Sequence, residues 1–139
     1  MSQTDSEMLR AGYEAFSRGE VDAVFASADP DLLLITAERV TNPGTYRGVE
    51  AVTQFFTDLF EPFEEVVAEP ERFFERGDQI VVFVRVRSRP RGSNAVVENR
   101  IGHVWTVRDG KVIRFQMFPE RMNALEAVGL SEQDAHADF

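Results

Sequence analysis

Cysteine is absent from the 139 residues, which excludes a disulfide framework, a thiolate metal site and a cysteine nucleophile. Histidine is nearly absent: His103 and His136 are the only two, too few for a histidine-based metal centre, so neither a metal nor another cofactor is expected. Positive charge is scarce as well, with 15 Lys and Arg against 24 Asp and Glu and a formal charge of -9. A field of that sign repels phosphate backbones and anionic lipid surfaces. Nucleic acid and membrane are therefore not expected partners, and the cluster Arg85, Arg87, Arg89 and Arg91 is a local exception. No apolar run approaches the roughly 20 residues that span a bilayer. The polar start MSQTDSE has neither the basic nor the apolar region of a secretion signal, and a cytoplasmic location is expected.

What is present is core-forming material. Hydrophobic residues make up 43% of the chain and twelve residues are Phe, enough for one folded domain over 1–139. Its ordered part is expected at about 5–130, with a mobile tail over 131–139. Met8, Leu9, Gly12, Ala15 and Phe16 recur at helical intervals until Arg18-Gly19. A second, shorter helix fits Val21 to Ala28 and is stopped by Asp29-Pro30-Asp31. Leu32 to Thr36 reads as a brief strand, and Ala37 to Tyr46, with Asn42-Pro43-Gly44, as a loop beside a pocket mouth. From Gly48 the apolar stripe Val49, Val52, Phe55, Phe56, Leu59, Phe60 and Phe63 predicts a third helix ended by Pro62.

The second half is rich in strand signals. Phe73-Phe74 marks a strand that starts near Pro70, at an edge or a break. Ile80 to Ser88 alternates, with Ile80, Val82, Val84 and Val86 on one face and Val81, Phe83, Arg85 and Arg87 on the other. Ile101 to Val107 and Val112 to Phe118 flank Asp109-Gly110, the signature of a two-residue hairpin turn. Centring the turn there pairs His103 with Gln116, Val104 with Phe115 and Trp105 with Arg114, the last as a cation-aromatic contact. Gly102, Val104, Thr106, Ile113, Phe115 and Met117 then form an interior wall. Ile101, His103, Trp105, Arg114, Gln116 and Phe118 form the outer face. Glu98 and Arg100 fall on the inner parity, as a salt bridge at the wide end or as a pair that holds a polar group of a ligand. A short helix over Met122 to Val128 closes the chain at Gly129. The fold class is α+β: a curved antiparallel sheet wrapped around three N-terminal helices, with a short C-terminal helix.

Several stretches resemble one family. They are Tyr13 to Glu20 (YEAFSRGE), Asp29-Pro30-Asp31, Tyr46 to Val52 (YRGVEAV), Val104 to Val112 (VWTVRDGKV) and Ala124 to Leu130 (ALEAVGL). Together they are similar to the SnoaL-like branch of the nuclear-transport-factor-2-like superfamily, over about Glu7 to Leu130. The resemblance implies a cone-shaped α+β barrel with an apolar pocket and a homodimer packed through the outer sheet face. It carries fold more than activity, because polyketide cyclases, ketosteroid isomerase and epoxide hydrolases share the scaffold. Where ketosteroid isomerase has its oxyanion-donating acid, the Gly110-Lys111-Val112 anchor puts Gly102; where its base lies, this chain has Leu34, Ile35 and Thr36. The arginine strand Arg85-Val86-Arg87 carries no aspartate of the epoxide-hydrolase kind. For the acid-base aspartate of the cyclases, the nearest match is Glu120.

Three functions stay open. The first is a pocket that binds a small, mostly apolar molecule, lined by Tyr13, Phe16, Tyr46, Phe55, Phe56 and Leu59 from the helical side and by Val82, Val84, Gly102, Val104, Phe115 and Met117 from the sheet. The second is an isomerase- or cyclase-like enzyme that moves a proton next to a carbonyl without a metal, with Glu120 or Glu98 as base and Arg100 as charge partner. The third is a dimerisation or interaction module using the outer face: Phe83, Arg85, Ile101, His103, Trp105, Arg114, Gln116 and Phe118. Glu120 has a structural reading too, since a carboxylate just before a helix favours its N-terminus.

Overall fold

The computed structural model describes residues 3–38, 40, 42–131 and 133–134. Of the expected tail, residues 132 and 135–139, His136 among them, lie outside the described residues. Helices α1 (Gln3–Ser17) and α2 (Val21–Phe25) precede the short strands β1 (Leu33–Ile35) and β2 (Thr45–Arg47). Helix α3 (Val49–Phe60) leads into four long strands, β3 (Phe63–Arg76), β4 (Gln79–Pro90), β5 (Val97–Arg108) and β6 (Lys111–Phe118), and then α4 (Arg121–Ala127). The six strands form one sheet in the order β2-β1-β6-β5-β4-β3, and only β1 and β6 run parallel.

Three elements differ from the expectations. Helix α2 ends at Phe25, three residues short of Ala28, the loop before α3 contains β2, and β3 begins at Phe63, seven residues ahead of the start expected near Pro70. Phe63 fits the apolar spacing of α3, but Pro62 cannot continue the helix, so Phe63 opens the next strand. Pro70 lies at a bulge of this edge strand, between Pro70 and Arg72, where a missing N–H costs no ladder bond.

The sheet has two covered faces, each with its own core. On the inner face, α1 to α3 pack Leu9, Tyr13, Phe16, Phe25, Val52 and Phe56 against Ile80, Val82, Val84, Trp105 and Phe115. On the outer face, α4 brings Ala124, Leu125 and Val128 onto Phe74, Val81, Phe83 and Val104. Residue Gly102 permits this second packing: a Cβ there would stand 2.7 Å from Ala124 Cβ and 3.2 Å from Arg121 Cα. Arg121 donates to Glu71 from the start of α4 and lies 5.1 Å from the Phe83 ring centroid.

The hairpin turn forms as expected, with Asp109 at φ 52 and Gly110 at φ 77, the pair of left-handed residues a type I′ turn requires. Arg108 pairs Lys111 and Val107 pairs Val112. The next pairs are Thr106 with Arg114 and Trp105 with Phe115, because the register shifts by one residue between Thr106 and Val107. The extra residue, Ile113, makes a bulge, and a one-residue slip moves every later side chain to the other face. This corrects the expected pairing throughout β5. His103 faces Met117 and Val104 faces Gln116. Trp105 stacks on Phe115 at 3.9 Å, with 7° between the ring planes, instead of meeting Arg114. Arg114 donates to Gln116 on the outside at 3.2 Å.

Ile101, His103 and Trp105 therefore belong to the inner face, and Gly102, Val104 and Thr106 to the outer one. Of the residues expected on an exposed outer face, Phe83 and Phe118 pack with the α4 core, while Arg85, Arg114 and Gln116 keep the outer position. Glu98 and Arg100 also change sides, since they pair with Arg87 and Arg85 across β4 and β5.

Candidate functional site

The inner face divides along its length. Around Phe115 it is closely packed, with only a hollow of about 20 Å³ beside Trp105, and Tyr13, Val82, Val84 and Phe115 are at most 1% exposed. Toward the far ends of β4 and β6 the helices stop and a cavity of about 590 Å³ opens. Its walls are Leu59, Phe60, Pro62, Phe63 and Val66 from the end of α3 and the start of β3, and Val86, Ser88, Asn99, Arg100 and Ile101 from β4 and β5. Met117, Phe118, Pro119 and Glu120 close one side, with Ala37 and Val40 of the loop before β2 opposite. A volume of this size suits a small organic molecule, and most of the lining is apolar.

A larger open groove, about 830 Å³, runs beyond the shared wall Phe60, Phe63 and Val66. Charged side chains in it already pair with one another, Arg18 with Glu20 at 3.1 Å and Arg91 with Glu64 at 3.4 Å. The mouth cavity has no such internal pairing and is the better candidate site.

Beneath the cavity floor lies a buried polar chain that joins Tyr13, expected inside, to His103 and Trp105, expected on the outer face. Trp105 Nε1–H donates to Tyr13 Oη at 2.9 Å, and Tyr13 Oη lies 2.6 Å from His103 Nδ1. Because indole can only donate, the tyrosine oxygen accepts from Trp105 and gives its own proton to Nδ1. The neutral imidazole then carries its hydrogen on Nε2. Burial pushes the His103 pKa down to about 3 and raises that of Tyr13, an effect the Trp105 hydrogen bond only partly opposes. Both groups are uncharged near neutral pH. Met117, the cross-strand partner of His103, separates this chain from the cavity.

The expected site residues are thus scattered. Leu59 and Met117 line the mouth cavity and Glu120 stands at its rim, whereas Arg100 borders it only along β5, its guanidinium lying on the outer face beside Glu98. Phe16 is a core residue that also edges the open groove, and Tyr46, Phe55 and Leu59 border a smaller hollow of about 280 Å³ beside Asn42. Tyr13, Phe56, Val82, Val84 and Phe115 are inner core, whereas Gly102 and Val104 lie on the opposite face under α4. Glu98 is engaged outside, 3.6 Å from Arg85 Nε and 4.0 Å from Arg100 Nε. Ser88 and Asn99 were not expected at all. The signal for Ser88 is visible in hindsight: it is the first polar residue on the even-numbered apolar row of β4.

No group of three or more His, Cys, Asp or Glu is placed to hold a metal ion among the described residues. No helix among them is long and apolar enough to cross a membrane.

A protein-family model described as a SnoaL-like domain matches residues 9–115. The chain belongs to the SnoaL-like domain family. No curated protein matches it at a significant level. Among solved structures, this SnoaL-like domain is similar to TerC co-crystallised with polyporic acid, at 20% identity and a TM-score of 0.73 over 98% of this chain and 97% of that one. A protein of ketosteroid isomerase-like fold from Catenulispora acidiphila, in complex with trimethylamine, matches at 14% identity and a TM-score of 0.72 over 89% and 93% of the two chains. A SnoaL-like polyketide cyclase, so described provisionally, from a Jannaschia species matches at 23% identity and a TM-score of 0.69 over 85% and 88%. Identities this low establish a common fold and nothing about reaction or ligand.

Proposed function

We propose that this SnoaL-like domain binds one small, mostly apolar molecule in the mouth cavity. The observation that carries the reading is the 590 Å³ space itself, which apolar side chains line while the rest of the inner face is filled. Burying an apolar ligand against Leu59, Phe63, Val66, Ile101 and Met117 is favourable by roughly 25 cal/mol per Å² of apolar surface removed from water. Two of the structural neighbours, TerC and the Catenulispora protein, are described with small molecules, in keeping with this reading.

Nile red, a neutral and apolar dye, tests it. The wild-type protein is expected to bind the dye saturably, one molecule per chain, with enhanced fluorescence. Ile101→Trp fills the cavity and is expected to abolish saturable binding while the far-ultraviolet circular dichroism stays unchanged. Absence of saturable binding by the folded wild-type protein would contradict the proposal.

A second reading, proton transfer next to a carbonyl, draws on Glu120, an exposed residue at the rim of the cavity. A base must reach the reacting carbon's proton through at most one water, and in this reading Glu120 does so for a molecule seated at the rim. Glu98 supports it less, being paired with arginines on the outer face. Glu120→Gln is expected to remove any exchange of α-deuterium from a bound ketone, measured by proton NMR, while leaving Nile red binding intact.

A further inference from the structure

Along the inner side of β4 the row Ile80, Val82, Val84 and Val86 ends in Ser88, which is 9% exposed and part of the cavity wall. Buried hydroxyl groups nearly always have a hydrogen-bond partner. The residues facing Ser88 across the ladders are Val66 on β3 and Val97 on β5, and neither side chain can supply one. Nor is its hydroxyl sealed: among the described residues, the fully buried side-chain polar atoms without a partner are Nε of Arg85, Arg87 and Arg121. Ser88 Oγ therefore opens into the cavity with its donor and acceptor capacity unused. Asn99 lies diagonally beyond it on the same face, opposite Val86, and also lines the cavity.

The charges around this point indicate what the hydroxyl meets. Glu120 is the one acidic residue in the described lining, whereas Arg100 turns its guanidinium to the outer face, beside Glu98. The rest of the lining is mostly apolar, which disfavours an unpaired charge of either sign, and the chain's overall charge of -9 further disfavours an anionic ligand.

From this we infer that Ser88 is the polar anchor of the cavity, and that the occupant is an uncharged molecule with an apolar body and one hydroxyl or carbonyl oxygen, held by Ser88 with Asn99 as a second contact. The inference rests on the binding reading above and adds the chemical class of the ligand and the residue that selects it.

Two nearly isosteric probes separate the possibilities: naphthyl methyl ketone and its isopropenyl analogue, in which a methylene group replaces the carbonyl oxygen. Affinities are read by displacement of Nile red and by calorimetry. The wild-type protein is expected to bind the ketone about three- to tenfold more tightly, the worth of one net hydrogen bond. Ser88→Ala is expected to erase that preference while binding the hydrocarbon as the wild type does. Asn99→Ala is expected to narrow the preference without erasing it. Equal affinity of the wild type for both probes, or a preference that survives in Ser88→Ala, would overturn the inference and leave the binding reading standing. Failure of the wild type to bind either probe would overturn both.

Discussion

Burial holds His103 neutral by pushing its pKa from 6.5 down to about 3, and this ties folding to pH. In the unfolded chain the imidazole takes up a proton as pH falls through its ordinary value, whereas the folded protein refuses that proton until about pH 3. The stability is fully present above the ordinary value and declines below it, by about tenfold in the folding constant per pH unit. His103→Gln keeps an acceptor for Tyr13 and does not titrate. Urea unfolding between about pH 6 and 4 should show a wild-type stability that falls more steeply than that of His103→Gln by the equivalent of one proton. Parallel curves would mean that the imidazole is solvated. Tyr13→Phe leaves Trp105 Nε1–H and His103 Nδ1 without their partner and is expected to cost about 1–3 kcal/mol for each orphaned group, measured in the same assay. Phe115 was legible as an interior residue from the parity of its strand, and Tyr13 was expected on the inner side. The link from Tyr13 to His103 was not, because the two lie 90 residues apart in sequence and meet only if β5 turns its odd-numbered side inward.

That orientation is decided at the level of elements, by the Ile113 bulge and by α4. The type I′ turn is written in Asp109-Gly110, but nothing in Val112-Ile113-Arg114 announces an inserted residue. Alternation could not arbitrate either, since α4 covers the outer face and makes Val104 as buried as Trp105, both 3% exposed. A sheet covered on both sides loses the apolar-in, polar-out contrast from which parity is read. The early part of β3 was illegible for another reason: in this edge strand with exposed Glu64, Glu65 and Glu69, the inward apolar row is only Val66 and Ala68 before Pro70, and Val67 on the other face blurs its alternation. By contrast α3, β4, β6 and α4 follow their sequence periods to within a few residues. Gly102 is where the element-level account can be tested. Gly102→Ala places a methyl group 2.7 Å from Ala124 Cβ and is expected to destabilise the fold by about 1–3 kcal/mol through overpacking. Ala124→Gly alone costs about 1 kcal/mol of helix propensity. If α4 docks on β5 as described, the double variant loses less than the sum of the two single ones; strict additivity would place α4 elsewhere.

For the molecule as a whole, the sheet is a partition between two cores, and the space for a ligand lies where the inner core ends. The broad features follow from composition: abundant Phe fills the inner face. The position of the cavity depends on where α3 stops, at Phe60, and on the long strands extending past it. The measurement that tests this arrangement most directly is a methyl-resolved NMR titration of the protein with naphthyl methyl ketone. The methyl groups of Leu59, Val86, Ile101 and Met117 are expected to shift together and saturably, while those of Val104 and Leu125, across the sheet under α4, stay in place. Saturable shifts at Val104 and Leu125 with none at Ile101 and Met117 would contradict the account.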